Sequence, residues 1–241
     1  MKIFNLNIFR REERKYNAMK KHNIRDYMEL ICSLLIDQFN VRYREYSQEK
    51  FKEEADVRYV ERDWIYKLGE PFKDLAYYEI QNEKSSQVHH DIGIPSKDFI
   101  MEVKYLKNWD STSKTKTAKK IWKEFEKDLT WLEEEIRTGN KGKRAFIIIW
   151  CNCIDYFGRV VQLGSGHGVK NPVNKDRLVY FPFLMNKNQD PEKMYTKDLV
   201  YNYEKRFPCL LDLNSIGKGD VEMDCLFLGK REDRLHIVIY Y

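Results

Sequence analysis

The chain is 241 residues long, 42% hydrophobic and 34% charged, with 43 Lys and Arg against 38 Asp and Glu and a net charge of +5. Such a composition fills a core and excludes a disordered polymer. So small a charge excess permits a nucleic-acid partner but excludes a purely electrostatic coat. The five cysteines (Cys32, Cys151, Cys153, Cys209, Cys225) form no CxxC pair. With an odd count and no secretory signal, neither a disulfide framework nor a zinc or iron–sulfur site is expected, and the setting is read as cytoplasmic. No run approaches the roughly 18 apolar residues of a membrane span, so no membrane partner is expected.

Residues 10–22 are basic and polar and read as a solvated lead-in helix. Asn23 can cap the next helix, on which Ile24, Tyr27, Met28, Ile31, Leu35 and Phe39 recur at helical spacing. Residues 41–63 are charged and read as helical or irregular. Tyr77 to Gln81 and Gln87 to Ile94 read as strands, Pro95 to Asp98 as a turn, and Phe99 to Leu106 as a third strand. Then Ala118, Ile121, Trp122, Phe125, Leu129, Leu132 and Ile136 form one helical stripe with Gly139 as its stop, followed by an apolar strand from Ala145 to Trp150. A strand–helix–strand crossover makes the last two strands parallel neighbours in one sheet. Residues 153–241 read as β-rich, with strands at Leu178 to Phe183, Cys225 to Leu228 and Leu235 to Tyr241.

The chemistry concentrates in the hairpin around Pro95–Asp98. A four-residue turn pairs Ile94 with Phe99 and sets Asp91 opposite Glu102 and His89 opposite Lys104, with opposed Cβ atoms about 4.5–5.5 Å apart. Glu102 and Lys104 share a face because strands repeat every two residues. His90, Ile92 and Ile94 fall on the opposite, apolar face with Phe99, Met101, Val103 and Tyr105. Two like charges directly opposed are destabilising, and a divalent cation offsets them better than Lys104 alone. Magnesium takes oxygen ligands of this kind and lowers the pKa of a bound water. The alternative is a cross-strand salt bridge on a solvated sheet face.

Asp91, followed on the next strand by Glu102, one residue and Lys104, resembles the signature of the PD-(D/E)XK nuclease superfamily. The order helix, three strands, helix, strand over residues 23–152 is similar to that family's core. The proline that gives the family its name is absent, since His90 precedes Asp91. The resemblance implies an α/β, restriction-endonuclease-like core (helix, three-strand meander, helix, parallel strand) within residues 1–152. Residues 153–241 would be a β-rich extension of the same domain with a DNA-recognition role. It implies a Mg2+-dependent endodeoxyribonuclease of the type II restriction or phage-defence kind, acting on double-stranded DNA. Asp91 and Glu102 would be metal ligands and Lys104 the catalytic lysine. Many members add an acid from the first helix, for which Glu29 is the candidate, although it lies roughly 140° from the centre of the apolar stripe. Cutting both strands calls for two sites, hence a homodimer. The alternative is a non-catalytic nucleic-acid-binding module on the same fold.

Lys116, Lys119, Lys120 and Lys123 gather at the start of the long helix, whose N-terminus favours anions, and are candidates for phosphate contact, the alternative being a solvated lysine face. His89, beside Lys104 in the expected register, is a further candidate, the alternative being a structural hydrogen bond. Gly164-Ser-Gly166-His-Gly168 misses the phosphate-loop patterns and reads as a loop. Asp220, Glu222 and Asp224 alternate as a solvated strand edge would.

Overall fold

The computed structural model describes residues 23–82, 85–107, 118–157, 172–187, 194–211 and 221–241. The lead-in at 10–22, Lys116, Gly164–Gly168 and Asp220 lie outside them.

Helix α1 (Ile24–Arg42) starts where Asn23 accepts the Arg25 N–H at 3.1 Å, and it buries Ile24, Met28, Ile31, Cys32, Leu35, Ile36 and Phe39. The charged stretch after it forms two more helices. Ser47 caps α2 (Gln48–Arg58), which buries Phe51 and Ala55. At the start of α3 (Glu61–Gly69) the Asp63 carboxylate accepts the Val60 N–H at 2.9 Å, and Trp64 and Leu68 face inward. Phe39 binds these helices together, with its ring 5.1 Å from Trp64 and 5.3 Å from Tyr59.

Three antiparallel strands follow, β1 (Tyr77–Asn82), β2 (Ser85–Ile94) and β3 (Phe99–Leu106), close to their expected bounds. Helix α4 (Ala118–Glu135) then crosses over to β4 (Arg144–Cys151), which runs parallel to β3. Gly139, at φ +94°, lets the chain leave the helix in the left-handed region that glycine tolerates. Ala145 to Cys151 are all buried, as befits a strand covered on both faces. The covers differ. Trp64 of α3 packs on Tyr105, 5.1 Å away, whereas Phe125 of α4 packs on Phe146, which lies beside Glu102 in the parallel register. Odd and even residues of β3 therefore look at different helices.

Most of the strands described after β4 complete this sheet. Strands β7 (Arg206–Leu211), β8 (Val221–Leu228) and β9 (Leu235–Tyr240) extend it antiparallel beyond β4, in the order β1-β2-β3-β4-β9-β8-β7. The molecule is a mixed α/β fold built on a seven-stranded mixed sheet. Strands β5 (Leu184–Asn186) and β6 (Leu199–Tyr201) form a separate pair. The strand expected at Leu178 to Phe183 is absent. Asn174 instead caps a short helix α5 (Lys175–Leu178), and Phe181 and Phe183 flank Pro182, which has no N–H for a ladder. Both phenylalanines are buried and meet Phe157 edge to face, with Trp150 stacked on Phe183. Among the described residues, no helix is long and apolar enough to cross a membrane.

Candidate active site

The site forms where β2 leaves β3. Their pairing runs from Ile94–Phe99 to Ile92–Met101, the register that a four-residue turn dictates. Beyond Met101, β3 continues to Leu106, and its N–H groups on that edge need other acceptors. Val103 N–H donates to Asp91 Oδ2 at 2.7 Å, and Tyr105 N–H donates to Glu61 Oε2 at 3.2 Å. Two carboxylates thus replace the missing strand along the edge of β3, which carries Glu102 and Lys104.

Strand alternation also breaks here. His90 was expected on the far face, yet its Nδ1 lies 2.5 Å from Glu102 Oε1, and both residues are buried. Asp91 is also near enough to Glu102 to feel its charge. Two successive residues of β2 therefore turn toward one carboxylate. On the next strand the residue opposite Asp91 is Glu79, between the pairs Tyr78–Ile92 and Ile80–His90, and its φ is +51°. Both strands are irregular at the same level, which is how His90 reaches a face the period of two denies it.

Lys104 is held from two sides. Its Nζ lies 3.4 Å from Glu61 Oε1 at the first residue of α3 and 3.2 Å from Asp128 Oδ2 on α4. Burial alone would lower the ammonium's pKa, but Glu61, Asp128 and Asp91 together hold it above its ordinary value. Burial raises both Asp128 and Glu61, and Lys104 opposes the rise in each. The Asp128 side chain is 8% exposed and that of Glu61 41%, so the ion pair with Asp128 is the better shielded of the two. Asp91 shows the frustration of the site most clearly. Burial first, and then the charge of Glu102, push its carboxyl up from 3.8 to about 6.

The structure brings Asp91, Glu102 and Lys104 together. It sends Glu29 elsewhere, to Lys205 and to Arg206 at 3.0 Å beside β7. Its position off the apolar stripe faces it toward that strand, and the helical acid beside the site is Glu61 of α3. His89 is exposed and makes a structural hydrogen bond from Nδ1 to the Glu79 carbonyl at 3.1 Å, and the histidine that reaches the site is His90, at Glu102 rather than beside Lys104. Lys123 is exposed on α4, while the side chains of Lys119 and Lys120 lie outside the described part. Asp224 of the expected solvated edge pairs with Arg25 at 2.9 Å. Three site residues escaped the sequence reading. Asp128 left a legible trace, a lone acid on the line Ile121, Phe125, Leu132 of an otherwise apolar stripe. Glu61, in the first turn of a helix, was hidden among many charges. Nothing in a period of two points to His90.

The donor set suits a hard cation that keeps part of its water shell. Asp91 Oδ2 accepts from Val103 and Glu102 Oε1 from His90, so Oδ1 and Oε2 are the oxygens these two bonds leave over. One or two carboxylates plus water is the usual protein contribution to a Mg2+ site. Among the described residues no group of three or more His, Cys, Asp or Glu side chains is placed to hold a metal ion. Searches against family models, curated proteins and solved structures find no match to this chain.

Proposed function

We propose that this protein is a Mg2+-dependent nuclease with a restriction-endonuclease-like core, hydrolysing DNA phosphodiester bonds as an endonuclease of the restriction or phage-defence kind. The carrying observation is the meeting of Asp91, Glu102 and Lys104, with the two acids repelling one another in a partly buried site. The succession of α1, the β1–β3 meander, the α4 crossover and parallel β4 supports the same reading. Asp91 and Glu102 would hold the cation, which when bound polarises the phosphoryl group and lowers the pKa of a water. Lys104, kept charged by Glu61 and Asp128, supplies a fixed positive charge beside the phosphate rather than a base. Glu61 and Asp128 aim it from two different helices. Exposed Lys123 lies on the helix that carries Asp128 and is the described member of the basic cluster available to a DNA backbone.

One observation favours a second reading, a nucleic-acid-binding module without turnover. The Lys104 ammonium is already engaged by two carboxylates, as a structural lysine would be. Plasmid DNA with Mg2+ separates the two. The nuclease reading expects nicked and linear products that disappear in chelator. Asp91→Ala and Lys104→Ala should lose cleavage while retaining DNA binding. Binding without cleavage by the wild type, on duplex and single-stranded substrates and with Mn2+ as well, selects the second reading. Absence of both DNA binding and metal uptake eliminates the two together.

A further inference from the structure

We infer that His90 is a positioning residue for Glu102, fixing which carboxylate oxygen is left for a cation. This rests on reading Asp91 and Glu102 as cation ligands, but not on DNA cleavage. The His90 Nδ1–H to Glu102 Oε1 bond, at 2.5 Å, joins two side chains that are 5% and 11% exposed. The imidazole has little freedom, since its ring lies 5.0 Å from that of Trp131 on α4, tilted by 38°. The bond also explains the broken alternation of β2. A regular strand would point His90 at the apolar face and leave Glu102 with only Asp91, a like charge, beside it. Turning His90 inward gives Glu102 Oε1 a donor and commits that oxygen, so Oε2 is the one presented. Hydrogen bonds that orient a ligating carboxylate are worth about 10–100-fold in metal affinity or activity.

The bond leaves from Nδ1, which is attached to Cγ as Nδ2 is in asparagine. Asparagine can therefore reproduce it, whereas glutamine, with its amide one carbon further out, and phenylalanine cannot. The test is Mn2+ binding by the full-length protein, followed by electron paramagnetic resonance or calorimetry, with thermal unfolding as the check on folding. His90→Phe and His90→Gln should raise the Kd about 10–100-fold, and His90→Asn by only a few-fold. In a Glu102→Ala background, His90→Phe should add nothing. Equal affinities across the folded variants, Asn no better than Gln, a full further loss in the Glu102→Ala background, or no Mn2+ uptake by the wild type each overturn the assignment. If His90→Phe does not fold, the Asn and Gln pair decides. The expected Mn2+ ranking in a wild type that cuts no DNA would sink the nuclease reading while leaving the role of His90 intact.

Discussion

Asp91→Asn should stabilise the metal-free protein above pH 6, although it removes a residue central to the site. The Asp91 carboxyl sits at about 6 against an ordinary 3.8. A folded-state value above the unfolded one means the unfolded chain releases its proton first as pH rises. Stability is then lost across the window from about 3.8 to about 6 and stays lost above it. At about 1.4 kcal/mol per pKa unit the ionised carboxylate costs the fold at most about 3 kcal/mol. Asn keeps an oxygen for the Val103 N–H, so the bond to β3 survives the change. Denaturant unfolding in chelator should show the variant about 2–3 kcal/mol more stable than wild type near pH 8, converging with it near pH 4. Adding Mg2+ should first cancel and then reverse the order, since wild type would gain about 2.7 kcal/mol at a hundredfold excess over its Kd and about 4.1 kcal/mol at a thousandfold, while the variant would gain little. A variant less stable than wild type in chelator at pH 8, with an unchanged pH dependence, refutes both the repulsion and the cation site built on it.

Lys104→Met removes the partner of two raised acids, and the buried Asp128 makes this expensive: about 3 kcal/mol in unfolding near pH 7, shrinking on acidification as the acids take up protons. A destabilisation that does not change as pH falls contradicts the pairing. His236 titrates in the opposite sense to Asp91. Fully buried in the ring cluster of Trp150, Tyr201 and Phe227, it is pushed by burial from 6.5 down to about 4. The unfolded chain therefore takes up this proton first on acidification, and up to about 3 kcal/mol is lost between about pH 6.5 and 4. His236→Gln, which keeps a donor for the Lys230 carbonyl, should abolish that acid-side loss in unfolding measured at pH 7 and 4.5. Because the His236 and Asp91 windows overlap with opposite sign, the wild-type curve alone is nearly flat there, and only the variants resolve the two groups.

The elements from Tyr77 to Trp150 were legible because each carries its own punctuation. Pro95 and Asp98 close the hairpin, and the turn length alone set the pairing of Ile94 with Phe99. An unbroken stripe and Gly139 bounded α4. What failed was anything decided between elements. The Phe181-Pro182-Phe183 run looked like a strand because aromatic density signals both strands and ring clusters, and the cluster with Trp150 and Phe157 won. Glu61 has the same local sequence character as a dozen solvated acids. Its role comes only from α3 starting over the open edge of β3, a long-range contact that no window of sequence contains. The face of His90 was misassigned for a related reason. Period-two reasoning assumes an unbroken ladder, and this ladder breaks at the residue that matters.

Glu79 is the residue through which that break can be tested. A glutamate at φ +51° costs about 1–2 kcal/mol relative to extended backbone, and it stands opposite Asp91 on β1. Its weak exposed pair with Arg62, at 3.9 Å, offsets little of this. Glycine accepts the same conformation, losing about 0.5–1 kcal/mol to chain entropy, so Glu79→Gly should leave the site intact and raise stability by up to about 1 kcal/mol. Valine is stiffer and is a rare occupant of that region. Glu79→Val should drive β1 toward a regular ladder, drawing Asp91 and His90 out of their shared approach to Glu102. It should therefore weaken Mn2+ binding where Glu79→Gly does not. Equal metal affinity in the two variants would mean that the divergence of β2 is set on its β3 side alone, by the Asp91 carboxylate capturing the Val103 N–H.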